Sequence, residues 1–364
     1  MSPPFREGIS TIEFSVSGLC PLPGLSECLF TDYQHNTLQS LNLSSSAIPN
    51  IVKVYSSMEN RRLHGILLVS ASPRYYTFAL LEATAPTSDD SEQKASELEA
   101  TSDRDCWLLL VRGRNENKLK LKELPNCRVL LGVRQWSGNI GCMCLLRSNH
   151  ILAAVCTFNK IIEAEPVRDD QADTYSRLQI LRKLTLSNSL KTFTVATIGQ
   201  RDLLLSTQFY EENPLSSVGE LVVYDLAEEV HGFDTAVEGE VVPEGQLTVL
   251  FRSLHYKDPK YVIYLDSLKG AVVGALEDHS LPSTTGKKYM RYDFWQIEAD
   301  PLPQGAVSIS PRASMRKVKD QKRVLCWCDC SVGNYSGLLE SGFQLLVLHC
   351  DYYTSEITIW SCRK

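Results

Sequence analysis

The stretch VIYLDSLKGAVVGALEDHS, residues 262–280, decides the fold that the sequence predicts. An apolar run rich in β-branched residues ends in Asp266, and a short turn containing Gly270 follows it. A second apolar run then ends at Asp278 and His279. β-Branched and aromatic residues favour strands, and glycine favours the turn between them. The stretch therefore predicts two consecutive strands of a repeating β-unit.

Strand endings of the same kind recur along the chain. The run VVYD ends at Asp225, which lies 41 residues before Asp266 (266 − 225). Backward steps of about 44 residues lead to apolar runs around Ile180 and Trp136. A spacing of about 40 to 45 residues is typical of propellers whose blades are four-stranded sheets. The spacing therefore predicts a series of such sheets.

Most of the remaining chain also predicts short β-strands. Runs such as HGILLVSAS (64–72), YYTFALLEA (75–83) and CWLLLVRG (106–113) are rich in β-branched and aromatic residues. Gly, Asn, Asp, Ser or Pro separates most of these runs, and no amphipathic helix of several turns is evident. About twenty strands are too many for one sandwich but suit a propeller. We therefore expect an all-β protein with a single propeller domain over residues 1–364.

The strand endings resemble the repeats of the WD-type β-propeller family. The Tyr-Leu-Asp of residues 264–266 stands where such repeats place an aromatic residue and an aspartate. The Asp-His of residues 278–279 stands where they place a Gly-His pair, and residues 223–225 and 359–361 resemble the first of these endings. The chain has no Trp-Asp and no Gly-His dipeptide, so the resemblance is to a degenerate form of the repeat.

The resemblance implies a WD-type propeller with seven blades, six being the second count. It also implies that an N-terminal strand, TIEFSVSG (11–18), closes the last blade. Tyrosines at predicted strand ends are then expected on an exposed face, where they either contact partners or are ordinary rim residues. The predicted partner-binding residues are Tyr75, Tyr76, Tyr210, Tyr352, Tyr353 and Arg363.

The cysteine-rich run VLCWCDC, residues 324–330, has three possible interpretations: a buried strand, a metal site or a redox centre. In a strand, residues two apart share a face, so Cys326, Cys328 and Cys330 point the same way. Zinc sites usually pair cysteines two to four residues apart, whereas this run has C-x-C-x-C spacing. The favoured interpretation is a strand in which cysteine serves as a small apolar residue. We therefore predict no metal and no cofactor.

Charge and hydropathy restrict the expected partners and location. The net charge is −6 and the pI is about 5.7, which does not favour binding to nucleic acid or to anionic membranes. The N-terminus, MSPPFREGIS, lacks the apolar core of a secretory signal. No apolar run reaches the roughly 18 to 20 residues that cross a bilayer. We expect a cytoplasmic or nuclear protein, or one found in both places.

Two polar segments interrupt the predicted strands. Residues 84–105 are acidic, rich in Ser and Thr and nearly free of large apolar side chains, so they predict a disordered loop insertion. Residues 316–323 carry five basic side chains and predict a basic loop, which either contacts a partner or is a solvated turn.

The sequence carries no motif for common enzyme chemistry. It has no G-x-S-x-G, H-E-x-x-H, Walker loop or G-x-G-x-x-G, and no catalytic residue is predicted. The predicted function is a non-catalytic protein–protein interaction scaffold within an intracellular multi-protein assembly. One alternative is a propeller enzyme with its site at the central channel. Another follows from IWSCR (359–363), which resembles, with Ser361 for aspartate, a Trp-Asp-x-Arg signature of substrate receptors of cullin-type ubiquitin ligases.

Overall fold

The computed structural model shows an all-β protein, which confirms the predicted class. It describes residues 5–12, 16–22, 27–32, 36–42, 51–57, 61–84, 103–114, 119–135, 142–154, 159–169, 171–209, 218–231, 244–253, 256–265, 269–276, 289–300, 306–318, 323–329, 343–350 and 355–362. Within these residues, no helix has the length and apolar character needed to cross a membrane.

Contacts divide the chain into two compact units, each of which is described by itself. Unit 1 comprises Met1–Gly141, Pro166–Gln179 and Lys322–Lys364, and unit 2 comprises Cys142–Glu165 and Ile180–Gln321. The single domain over residues 1–364 stays a prediction.

The described residues form 24 strands. They are β1 (Phe5–Ile12), β2 (Val16–Pro21), β3 (Glu27–Asp32), β4 (Thr37–Asn42), β5 (Ile51–Ser56), β6 (Arg61–Ala71), β7 (Tyr75–Thr84), β8 (Asp103–Arg114), β9 (Leu121–Gln135), β10 (Cys142–Leu145), β11 (Ile151–Ala154), β12 (Lys160–Asp169), β13 (Thr174–Thr185), β14 (Leu190–Ile198), β15 (Arg201–Phe209), β16 (Val218–His231), β17 (Glu244–Arg252), β18 (Tyr256–Leu265), β19 (Gly270–Leu276), β20 (Tyr289–Ala299), β21 (Val307–Val318), β22 (Arg323–Asp329), β23 (Phe343–Cys350) and β24 (Ser355–Cys362).

Consecutive strands pair as four-stranded antiparallel meanders. The sheets β2–β5 and β6–β9 are separate, and a third sheet has the order β1-β24-β23-β22. The remaining strands form the meanders β10–β13, β14–β17 and β18–β21. A parallel pairing of β13 with β17 and an antiparallel pairing of β16 with β18 join these three into one sheet. Each meander has the topology of a propeller blade.

The N-terminal strand completes the sheet that holds the C-terminal strands, as the sequence predicted. Strand β1 pairs antiparallel with β24, from Phe5 opposite Ser361 to Ile12 opposite Ser355. The predicted boundaries were wrong, because β1 ends at Ile12 and a different strand, β2, begins at Val16. The pairing covers what would otherwise be an open sheet edge.

Within each meander the strands are numbered first to fourth in chain order, and in the sheet completed by β1 the first to fourth strands are β22, β23, β24 and β1. Burial follows this order. The second strands are buried almost throughout: β7 from Tyr76 to Ala83, β11 over its whole length, and β15 from Leu203 to Gln208. In the fourth strands β13 and β17, by contrast, buried positions are interspersed with solvent-accessible ones. Within unit 1 the first strand β2 contacts the first strands β6 and β22, and within unit 2 β14 contacts β10 and β18. First strands therefore pack beside first strands, with fourth strands outermost.

Two details of the predicted repeat were wrong. The third strands β8 and β12 begin 57 residues apart (160 − 103), and β16 and β20 begin 71 apart (289 − 218), so these spacings exceed the predicted 40 to 45 residues. Residues 223–225 lie on β16, a third strand, whereas 264–265 end β18, a first strand. The two strands of this stretch, β18 and β19, are therefore a first and a second strand that pair with each other, and residues 266–268, which include Asp266, lie outside the described residues. Residues 277–280 lie outside the described part of the chain.

The cysteine-rich run forms a strand, as predicted, over residues 323–329. In β22 the backbone of Cys326 pairs with that of Leu348, and Cys328 pairs with Leu346. Cys330 lies outside the described residues, and the absence of a metal stays a prediction.

The two predicted loops are shorter than their predicted boundaries. Strand β7 reaches Thr84 and β8 begins at Asp103, so both enter the predicted acidic loop. Strand β21 extends to Val318 and β22 begins at Arg323. Residues 85–102 and 319–322 lie outside the described residues.

Candidate functional site

The predicted partner-binding tyrosines divide into two that the structure describes and others that it does not. Tyr75, at the start of β7, is half-buried, and its ring centre lies 3.9 Å from the guanidinium carbon of Arg112. Tyr76 is only 4% exposed, which corrects its predicted exposed position. Successive strand residues face opposite sides of the sheet, so Tyr76 joins the core beside Phe78. The others lie outside the described residues: Tyr210, Tyr352, Tyr353 and Arg363.

A different aromatic residue, Trp107, lies at the centre of a polar cluster on the β6–β9 sheet. In the strand register, Glu82 on β7 is opposite Trp107 on β8, and Trp107 is opposite Leu130 on β9. All three share one face of the sheet, and Arg128, two residues before Leu130, belongs to the same face. Further along this face, apolar residues pack with the β2–β5 sheet. The cluster therefore lies where this apolar contact ends.

Two arginines and two carboxylates neutralise one another in this cluster. The buried carboxylate of Glu82 accepts a hydrogen bond from Ser57 Oγ at 2.6 Å, from Arg128 Nη1 at 2.9 Å and from Arg61 Nη1 at 3.4 Å. Arg128 also donates from Nε and Nη2 to the two carboxylate oxygens of Glu123, at 2.7 and 2.8 Å. Such a bidentate pair fixes the plane of the guanidinium group.

Both guanidinium groups lie near the ring of Trp107. The guanidinium carbons of Arg61 and Arg128 are 5.6 and 5.9 Å from the ring centre, within the range of cation–π attraction. The indole is half-buried, and Leu130 beside it is 42% exposed. The Trp107 cluster, comprising Arg61, Trp107, Arg128 and Leu130, thus presents a pre-oriented aromatic and apolar surface whose charges are internally paired.

Three groups in or near the cluster, Tyr55, Cys127 and Arg128, have raised pKa values. Hydrogen bonding to Glu123 raises the pKa of Arg128, so this guanidinium stays cationic. Burial, reinforced by the negative charge of Glu82, raises the pKa of Tyr55, so the phenol stays neutral. Burial likewise raises the pKa of Cys127 from 9.0 to about 11. With these pKa values, the charges of Arg128, Tyr55 and Cys127 stay constant around neutral pH.

The pKa of Cys127 predicts a loss of stability at alkaline pH. Below pH 9 the thiol is protonated in both states, whereas between about pH 9 and 11 only the unfolded thiol ionises, which favours unfolding. We expect this group to lower the free energy of unfolding by on the order of 1 to 3 kcal/mol across that range. Urea unfolding at several pH values measures it. Cys127→Ala should reduce the slope, and a slope equal to that of the wild type contradicts the assignment.

In unit 2, buried carboxylates are also paired with cations. Glu163 accepts from Arg182 Nε at 2.5 Å and lies 2.6 Å from His150 Nδ1. Further pairs among the described residues are Asp225 with Arg201, Glu220 with Arg252, and Asp293 with Arg291. Across the described part of the chain, no three His, Cys, Asp or Glu side chains are placed to hold a metal ion. The buried acids of this region therefore serve as ion-pair partners within the fold.

Comparison with known proteins gives a fold but no family. No family model matches the chain, and no curated protein matches it. Among solved structures, two of glucose dehydrogenase are each 13% identical and cover 98% of this chain and 100% or 99% of their own, with TM-scores of 0.50 and 0.51. The β-propeller domain of Cps50 (Swd1) from Myceliophteria thermophila is 11% identical and covers 95% of this chain and 82% of its own. Its TM-score is 0.39. At 13% identity, the glucose dehydrogenase structures share a fold with this chain and indicate nothing about its activity.

Proposed function

We propose that the protein is a non-catalytic interaction scaffold and that the Trp107 cluster is one of its docking surfaces. The observation that carries the proposal is a partly exposed tryptophan with two ion-paired arginines near its ring and an exposed leucine beside it. Tryptophan and arginine are over-represented among residues that dominate binding energy at interfaces. Because the bidentate pair with Glu123 already fixes the guanidinium group of Arg128, docking costs little further side-chain entropy at this arginine.

The framework that carries this surface is, in our proposal, a degenerate WD-type propeller with six blades. Strand β1 with β22–β24 makes one four-stranded blade, and the other described strands make five more four-stranded blades. Six is the second of the two counts that the sequence suggested. We further propose that the protein works in the cytoplasm or nucleus as a subunit of a multi-protein assembly.

An enzyme with a channel site is the competing hypothesis. Its support is the fold shared with glucose dehydrogenase structures, at 13% identity. Against it, the buried carboxylates Glu82, Glu163 and Asp225 each have an arginine partner, and this pairing suits a structural role better than proton transfer. The ubiquitin-ligase alternative gains no support, since Arg363 lies outside the described residues.

Affinity purification with mass spectrometry tests the scaffold proposal. We expect the wild-type chain to recover a stoichiometric partner and Leu130→Glu to lose it, because a carboxylate at the centre of an apolar contact loses its hydration on binding. Val249→Glu is the matched control: Val249 is 37% exposed on another fourth strand, β17, and its variant should retain the partner. Elution of the wild-type chain only at its monomer mass, with no cross-linked partner, contradicts the proposal.

A further inference from the structure

A cluster of cations occupies the other end of the β6–β9 sheet, away from Trp107. Arg112 and Arg114 are two apart at the end of β8, so they share a face, as do Lys120 and Lys122 around the start of β9. The register places Arg112 opposite Lys122, so all four belong to one face. Tyr75 is opposite Arg114 and joins that face. We call these five residues the basic end.

Two like charges, those of Arg112 and Lys122, lie directly opposite each other in the basic end. Like charges directly opposite each other on antiparallel strands destabilise the pair, and Arg112 and Lys122 hold that relation. Lys120 and Lys122 are exposed, so their positive charge faces solvent. The chain as a whole has a net charge of −6, so this local excess of cations does not follow from its composition. An anion bound at this face relieves the repulsion.

Arg112 is fixed at this face although its own hydrogen bonding is incomplete. Its guanidinium group lies over the ring of Tyr75, and its Nη2 donates to the carbonyl oxygen of Asp173 at 2.6 Å. The carboxylate of Asp173 is 3.8 Å away and 80% exposed, so solvent weakens its neutralising effect. Arg112 Nε is buried without a hydrogen-bond partner, which costs stability. Local features that cost stability are expected at functional sites.

We propose that the basic end binds an acidic or phosphorylated peptide segment of a protein partner. Two residues along a strand span about 7 Å and neighbouring strands are about 4.8 Å apart, so the cations match two or three anionic groups of a short peptide. Arginine clusters recognise phosphate and carboxylate in this way, and Tyr75 adds an aromatic contact. Nucleic-acid binding usually uses more phosphate contacts, about six to ten, and the acidic chain disfavours it. This inference rests on the proposed scaffold function and names a second surface and its ligand.

Fluorescence anisotropy with purified full-length protein tests it. The probes are a labelled glutamate-rich peptide, the same peptide with phosphoserine, a glutamine-rich neutral peptide and a single-stranded oligonucleotide of similar length. We expect the two acidic peptides to bind more tightly than the other probes, and more weakly as salt rises. Lys122→Glu should weaken acidic-peptide binding by at least about tenfold, because it reverses one charge at the centre of the face.

The matched control is Lys53→Glu, which makes the same charge change at an exposed lysine on another fourth strand, β5. It should leave the affinity unchanged. Lys122→Glu also creates an opposite-charge pair with Arg112, so its melting temperature should be unchanged or higher. Equal losses in both variants, or no binding of either acidic peptide, overturn the proposal. Tighter binding of the oligonucleotide overturns the partner class. The scaffold proposal is judged separately, by the Leu130→Glu purification.

Discussion

Replacing Arg201 by methionine is expected to lower the free energy of unfolding by about 3 to 5 kcal/mol. Arg201, at the start of β15, is 3% exposed, and its partner Asp225 on β16 is 1% exposed. Arg201 Nε donates to Asp225 Oδ2 at 2.8 Å, and Nη2 donates to the same oxygen. Methionine fills a similar volume but leaves the carboxylate buried without this cation. The expected loss of stability therefore reflects mainly the cost of keeping the charged carboxylate of Asp225 away from water. The attraction between Arg201 and Asp225 contributes less to it.

Urea unfolding of the single and double variants measures this effect. Arg201→Met combined with Asp225→Leu removes both charges, and we expect it to recover most of the lost stability. Asp225→Leu alone leaves the arginine buried and should be destabilising too. A single Arg201→Met variant with the unfolding midpoint of the wild type contradicts the buried-pair interpretation. Equal instability of the double variant indicates that packing, not charge, is responsible.

Replacing Phe78 by alanine is expected to cost a similar amount, about 3 to 5 kcal/mol. Phe78 lies in the middle of β7, a second strand that is buried on both faces, and its side chain is fully buried. It packs in the cluster that joins the β2–β5 and β6–β9 sheets, with Leu80 and Leu109 beside it. Strands paired on both edges cannot move inward easily, so the cavity stays open and its full cost is felt.

Phe209→Ala is the control for this substitution. Phe209 ends β15, another second strand, but it is only half-buried, with Lys191 Nζ lying 5.5 Å from its ring centre. Thermal and urea unfolding should show a loss of about 1 kcal/mol for this variant, well below that for Phe78→Ala. Similar losses in the two variants contradict the difference in burial between these two phenylalanines.

The sequence alone determined the β-class and the location of most strands. Runs such as YYTFALLEA, residues 75–83, combine β-branched and aromatic residues with turn residues at their ends, and this local chemistry specifies a strand. The role of the N-terminal strand was implied by the resemblance to WD-type propellers, although β1 ends at Ile12. Strands β3, β4 and β12 were missed. TLQSLN (37–42) is largely polar, yet Thr37, Gln39 and Ser40 are buried by pairing on both edges.

Tertiary structure alone decided which strands form a set and which side chains meet. The spacing of strand endings predicted units of 40 to 45 residues, but loops of variable length separate the sets, and pairing, not spacing, defines them. Tyr75 and Tyr76 have almost the same sequence context; the register buries one and leaves the other beside Arg112.

Neither candidate surface could be predicted from the sequence alone. Arg61, Glu82, Trp107 and Arg128 come from four strands spread over 68 positions (128 − 61 + 1), and only the register of the β6–β9 sheet places them together. The basic end likewise depends on Arg112 being opposite Lys122. A strand's own residues fix its two faces, because side chains alternate. Which residues of a neighbouring strand lie opposite these faces depends on the register and on β-bulges. The sheet as a whole determines both.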